Sequence, residues 1–162
     1  MRALSSAAMV VTLIVDGANV MGSRAGGWWR DPAGAMARLH DELAALAVRG
    51  IAGPVPGAGP DGAAPGDPEP EETGGSGAGD RWFPDIVLVV EGRARAVLDL
   101  VPRSPEVRVV AARGEGDDEI AGLAGRLPGQ RIVVTADREL RRRSEAAGAA
   151  VAGPRWLTRL LA

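Results

Sequence analysis

An apolar run at 9–15 ends abruptly in Asp16-Gly17. Six apolar positions out of seven, broken only by Thr12 and without alternation, predict a strand covered on both faces, and the Asp-Gly that follows predicts a turn. Similar runs lie at Asp85–Val90, closed by Glu91-Gly92, at Val107–Ala111, at 131–135 and, more briefly, at 149–152. Between them the period lengthens. Pro32 opens a stretch in which Met36, Leu39, Leu43 and Leu46 recur at helical spacing. Ile120, Leu123, Ala124 and Leu127 form one face of a helix at 117–127. A short helix is predicted at 94–100, an Arg-rich one at 138–147, and a terminal one from Pro154 through Trp156, Leu157, Leu160 and Leu161. After Asp16-Gly17-Ala18-Asn19 no helical pattern is visible, so that stretch reads as loop. Strands alternating with helices imply right-handed crossovers. The predicted fold is α/β, three-layered, with a mostly parallel sheet of about five strands and flanking helices.

Residues 50–79 break this rhythm, dissolving into Gly, Pro, Ala and acids without apolar periodicity. We read them as a disordered insert in a single domain made of 1–49 and 80–162. At 162 residues the chain is long enough for one such core and too short for two. Aromatics are only 3% of it, so Val, Leu, Ile and Ala must fill that core.

Charge changes the picture once it is placed. The formal net charge is −2, but residues 51–80 hold six acids and no Arg, which leaves 19 basic against 15 acidic residues elsewhere. A mildly basic body with an acidic insert suits a polyanionic partner. Arg2 and the apolar run after it imitate a signal peptide, yet cleavage behind that run would cut into the Asp16 motif, so a cytoplasmic protein is expected. No run reaches the roughly 18 apolar residues of a membrane span. The excess of Ala, Gly, Arg and Pro points to a GC-rich, bacterial coding sequence.

In a parallel sheet the ligand crevice lies at the carboxyl ends of the strands. The strand ends here deliver Asp16, Glu91, the pair Asp117 and Asp118 beyond the third strand, and Thr135-Ala136-Asp137. Carboxylates gathered at one edge repel one another unless a cation balances them. With no Cys and a single His, His40 on the flank of the first helix, hard oxygen ligands favour Mg²⁺ or Mn²⁺. Such a site supports metal-assisted phosphodiester hydrolysis. A plainer reading stands beside it. Asp is a preferred helix cap, so Asp117, Asp118 and Asp137 are also suited to capping or first-turn roles.

The chain contains no lysine, which removes a Walker A loop, a phospho-receiver and a haloacid-dehalogenase-type phosphatase; Ala18 also stands where the last would need its second Asp. Arg113-Gly114-Glu115-Gly116 is a poor dinucleotide loop, with Glu119 in place of its third Gly. Arg24, Arg30, Arg93, Arg95 and Arg138 fall in loops near the crevice, where phosphate contact and plain solvent exposure are both open. The same holds for base stacking against loop packing at Trp28 and Trp29. Arg141, Arg142 and Arg143 lie farther along their helix and are expected in solvent.

Val15-Asp16-Gly17-Ala18-Asn19-Val20, then Asp117-Asp118-Glu119-Ile120, then Val133-Val134-Thr135-Ala136-Asp137-Arg138-Glu139-Leu140 together resemble the NYN-domain pattern of the PIN-like nuclease superfamily, and within it the YacP-like branch. The resemblance covers all but the insert. It implies a Mg²⁺- or Mn²⁺-dependent ribonuclease, with RNA, in a ribosome-linked setting or free, as partner. Asp16, Asp117 and Asp137 match its acidic positions, Asn19 its polar helper and Thr135 a supporting hydroxyl. Asp118 competes with Asp117 for one position, and Glu91 stands where relatives often carry Asp. The alternatives are a non-catalytic module of this fold that binds RNA or a ribosomal partner, and a regulatory or oligomerisation domain whose acids only cap helices.

Overall fold

The computed structural model describes residues 10–57 and 81–162. In chain order its elements are β1 (Val11–Asp16), α1 (Gly17–Gly22), α2 (Pro32–Arg49), β2 (Ile51–Ala52), β3 (Arg81–Trp82), β4 (Asp85–Val90), β5 (Val107–Ala111), α3 (Gly116–Arg126), β6 (Gln130–Val134), α4 (Arg138–Ala146), β7 (Ala150–Ala152) and α5 (Pro154–Leu161). Single 3₁₀ segments occupy Trp28–Arg30 and Gly92–Asp99.

Five strands form one sheet in the order β5-β4-β1-β6-β7, with every neighbouring pair parallel. All six residues of β1 are buried, which is why its sequence shows no alternation: helices cover both faces of the central strand. Leu13 and Val15 pack with Met36, Leu39, Leu43 and Leu46 of α2 and Leu157 of α5. Ile14, between them, points the other way and packs with Val87, Val89 and Val133, under Ile120 and Leu123 of α3 and Leu140 of α4. Two apolar layers therefore sandwich the sheet, α1, α2 and α5 on one side and α3 and α4 on the other.

The chain leaves β1 for β4 and β5 at one edge, then crosses over to β6 and β7 at the other. Beyond β1 it turns into α1 on the first face, and beyond β6 into α4 on the second. The carboxyl ends of β1 and β6 thus flank a topological switch point, where open α/β sheets form their crevice.

Three sequence expectations need correction. Asp16 does not lead into loop: Gly17–Gly22 is helical, with the Asp16 side chain accepting from the Asn19 amide as its cap. Six residues are too few to display a period. The segment predicted as a helix at 94–100 is 3₁₀ over Gly92–Asp99, and its two buried residues, Ala94 and Val97, lie three apart, the spacing that aligns side chains on a threefold helix. The folded body also takes in residues 51–57. Ile51 is buried, Ile51 and Ala52 pair antiparallel with Trp82 and Arg81, and the Pro56 carbonyl accepts from the Gln130 side chain at 3.1 Å. The remainder of the expected insert lies outside the described residues. Among those described, no helix is long and apolar enough to cross a membrane.

Candidate functional site

Side chains alternate along a strand, so Asp16, two beyond Ile14, opens on the α3–α4 face. The register of β1 against β6 pairs Val15 with Val134, and the next position outward sets Asp16 beside Thr135. Their contact is direct. The Thr135 hydroxyl donates to Asp16 Oδ2 at 3.0 Å, while the Asn19 amide donates to Oδ1 at 3.3 Å. Asn19 in turn accepts the Ala136 amide on its side-chain Oδ1 at 2.8 Å, and the Asp137 amide donates to the Thr135 hydroxyl oxygen at 3.2 Å. Residues from the two strand ends are thereby laced into one hydrogen-bonded unit. The Arg141 guanidinium, expected in solvent, reaches back to donate to the Thr135 carbonyl at 3.3 Å. No sequence pattern announces that contact.

The carboxylates occupy different surroundings. Asp16 is only 8% exposed, and its carboxyl is pushed up to about 6. Burial is the main cause, and the negative charges of Asp117 and Glu91 add to it, against the hydrogen bonds from Thr135 and the Asn19 amide. Asp117 is also raised, first by burial and then by Asp137, Glu91 and Glu115, with Arg143 acting in opposition. Glu91 thus bears on both Asp16 and Asp117, and Asp137 on Asp117.

Contact is a different matter. Among the described residues, no three acidic or His side chains stand close enough to close around one ion. Asp137 caps α4 by accepting from the Leu140 amide at 2.8 Å, and Glu91 accepts from the Gly116 amide at 2.6 Å. The capping roles open in the sequence are realised at Asp137, and at Asp16 besides. Asp118 turns outward, its side chain 73% exposed and paired with Arg143 at 3.0 Å, so of the two neighbours it is Asp117 that joins Asp16.

The basic candidates divide. Arg24 is held by Glu42 of α2 through both terminal guanidinium nitrogens, at 3.0 and 3.1 Å, and is not available to a phosphate in this arrangement. Arg30, Arg93, Arg95 and Arg138 are exposed, with no ion pair among the described residues. Trp28 packs against the α2-side core, as a loop-anchoring residue does, whereas Trp29 is 63% exposed. His40 is buried within α2, away from these acids.

Neither a family model nor a curated protein matches the sequence. Among solved structures, the chain superimposes on Rae1 (YacP) from Bacillus subtilis, crystallised as its W164L mutant, with a TM-score of 0.60. The likeness is one of fold. The match covers 94% of this chain and 75% of that one at 16% identity, so the chain has a YacP-like α/β fold. At the level of fold, that agrees with the YacP-like branch named by the motif resemblance.

Proposed function

We propose that the protein is a metal-dependent ribonuclease whose site is centred on Asp16. The observation that carries this reading is a buried carboxylate facing other acids with no cationic partner among the described residues. A charge in that position is costly to keep unless something positive binds beside it. The donors on offer are carboxylate oxygens, suited to Mg²⁺ or Mn²⁺. In charge and donor type Asp16, Asp117 and Asp137 suit such an ion, which would have to draw them together, since among the described residues no three such side chains converge on one point. Bound there, it would supply a water of lowered pKa and a counter-charge for a phosphodiester.

The chain's own residues have the remaining tasks. Thr135 and the Asn19 amide fix both oxygens of Asp16, so the carboxylate is oriented before any ligand arrives. Asn19 clamps the loop beyond β6 and keeps Asp137 in register with it. Arg93, Arg95 and Arg138 stand free to meet the phosphates of an RNA strand.

A second reading, an RNA-binding module of the same fold without turnover, is favoured by one specific observation: Asp16, Asp137 and Glu91 each already satisfy a backbone amide. Single-stranded RNA incubated with Mn²⁺ or Mg²⁺ separates the two. The nuclease reading expects cleavage that EDTA stops and that Asp16→Asn abolishes while the variant stays folded. RNA retention with no metal-dependent turnover in the wild type would instead establish the binding module.

A further inference from the structure

Glu91 stands where the resemblance expects a metal-binding Asp, and its geometry shows a different use. Its Oε2 accepts from the amide of Gly116, the first residue of α3, at 2.6 Å. The opening amides of a helix lack partners within it, and a carboxylate there gains both a charge-assisted hydrogen bond and the helix dipole. α3 has no cap of its own, because Glu115, at its cap position, makes no side-chain hydrogen bond to it. Glu91, from the end of another strand, takes that place.

The closeness is built into the residue types. Gly116 is buried, and a Cβ there would stand 3.2 Å from Oε2 and 3.4 Å from the carboxyl carbon of Glu91. That is tighter than ordinary contact, so a side chain at 116 would make the carboxylate give by a few tenths of an ångström. Glu also has one more methylene than Asp, and that reach is used to span from β4 to α3. The residue after Gly116 is Asp117.

We propose that Glu91 is a positioning residue that anchors the start of α3 and so places the Asp117 carboxylate, and that it is not itself a metal ligand. The proposal rests on the reading of Asp117 as part of the metal site.

Two measurements test it, one needing no metal. In metal-free protein, amide exchange at Gly116 and Asp117 is followed by NMR in the wild type, Glu91→Gln, Glu91→Ala and Gly116→Ala. Gln keeps an acceptor for the amide and loses the charge; Ala keeps neither. Exchange in Glu91→Gln is expected to stay near the wild type, with the residue 116 amide exchanging faster in both Ala variants. In a Mn²⁺ titration, Glu91→Gln is expected to stay within about threefold of wild-type affinity and Glu91→Ala to lose about tenfold or more, as for other residues that support a ligand from behind, with Gly116→Ala in between. Equal loss of Mn²⁺ affinity in Glu91→Gln and Glu91→Ala, with exchange unchanged, would make Glu91 a ligand and overturn the proposal. A wild type that binds no Mn²⁺ removes the metal reading alone. The anchor is then judged on exchange, and unchanged protection in Glu91→Ala overturns it.

Discussion

At the scale of single residues, Asp16 is the most consequential position, and its burial has a thermodynamic signature. Its carboxyl titrates at about 6 in the folded protein against 3.8 when free. The folded state therefore binds that proton more tightly than the unfolded chain. The resulting stabilisation is complete below about pH 4 and is lost as pH rises through about 6. Above that, in the absence of metal, the ionised group costs the fold up to about 3 kcal/mol. Asp16→Asn is thus expected to be more stable than the wild type at pH 7.5 by about 1–3 kcal/mol in urea unfolding, with the gap closing towards pH 4. A gap that does not depend on pH would rule out burial of the charge as its cause. Much of this site is legible in sequence, because Asp16, Thr135 and Asp137 sit where apolar runs stop and strand ends announce themselves. The Glu91–Gly116 contact and the reach of Arg141 to Thr135 are not. Neither belongs to a period, and each depends on how two separately legible segments meet in space.

At the scale of elements, the strands are well marked because burial on both faces leaves nearly uninterrupted Val, Ile and Leu. The short pieces are poorly marked. α1 escapes notice at six residues, although its packing is demanding: a Cβ on Gly17 would come within 2.8 Å of the Val89 carbonyl oxygen and 3.0 Å of Met36 Sδ. Backbone cannot yield as a flexible side chain does. Gly17→Ala is accordingly expected to cost about 1–3 kcal/mol in urea unfolding, and an unchanged midpoint would mean that α1 can shift freely. The boundary placed at Gly50 falls short for a different reason. Ile51 is one apolar residue amid Gly and Pro, too little for a pattern, yet it is buried in the α2-side core. Ile51→Ala is expected to lose about 2–4 kcal/mol. Deleting 51–57 should therefore destabilise the protein, and an unchanged urea midpoint would mean that Ile51, the β2–β3 pairing and the Pro56–Gln130 contact contribute nothing.

Across the whole molecule, topology accounts for what local patterns could only suggest. Sequence alone marks several strand ends carrying acids; the crossover from β5 to β6 is what sets β1 and β6 side by side with their connections on opposite faces. The distribution of charge then bears on binding. If the exposed Arg93, Arg95 and Arg138 meet RNA phosphates, affinity should fall with added salt, and each Arg→Ala change should flatten the dependence of log K on log salt by about 0.7. A slope unchanged in the triple variant would place the nucleic acid elsewhere. The antiparallel pairing of Ala52 with Arg81 has a further consequence, for engineering. It holds residues 52 and 81 next to each other, so the body grips both sides of the intervening segment at one place. Doubling the length of a flexible closed segment costs only about 0.6 kcal/mol. Reporter domains or affinity tags could be spliced in at that place, and the catalytic and binding experiments above run on the same scaffold without altering either terminus.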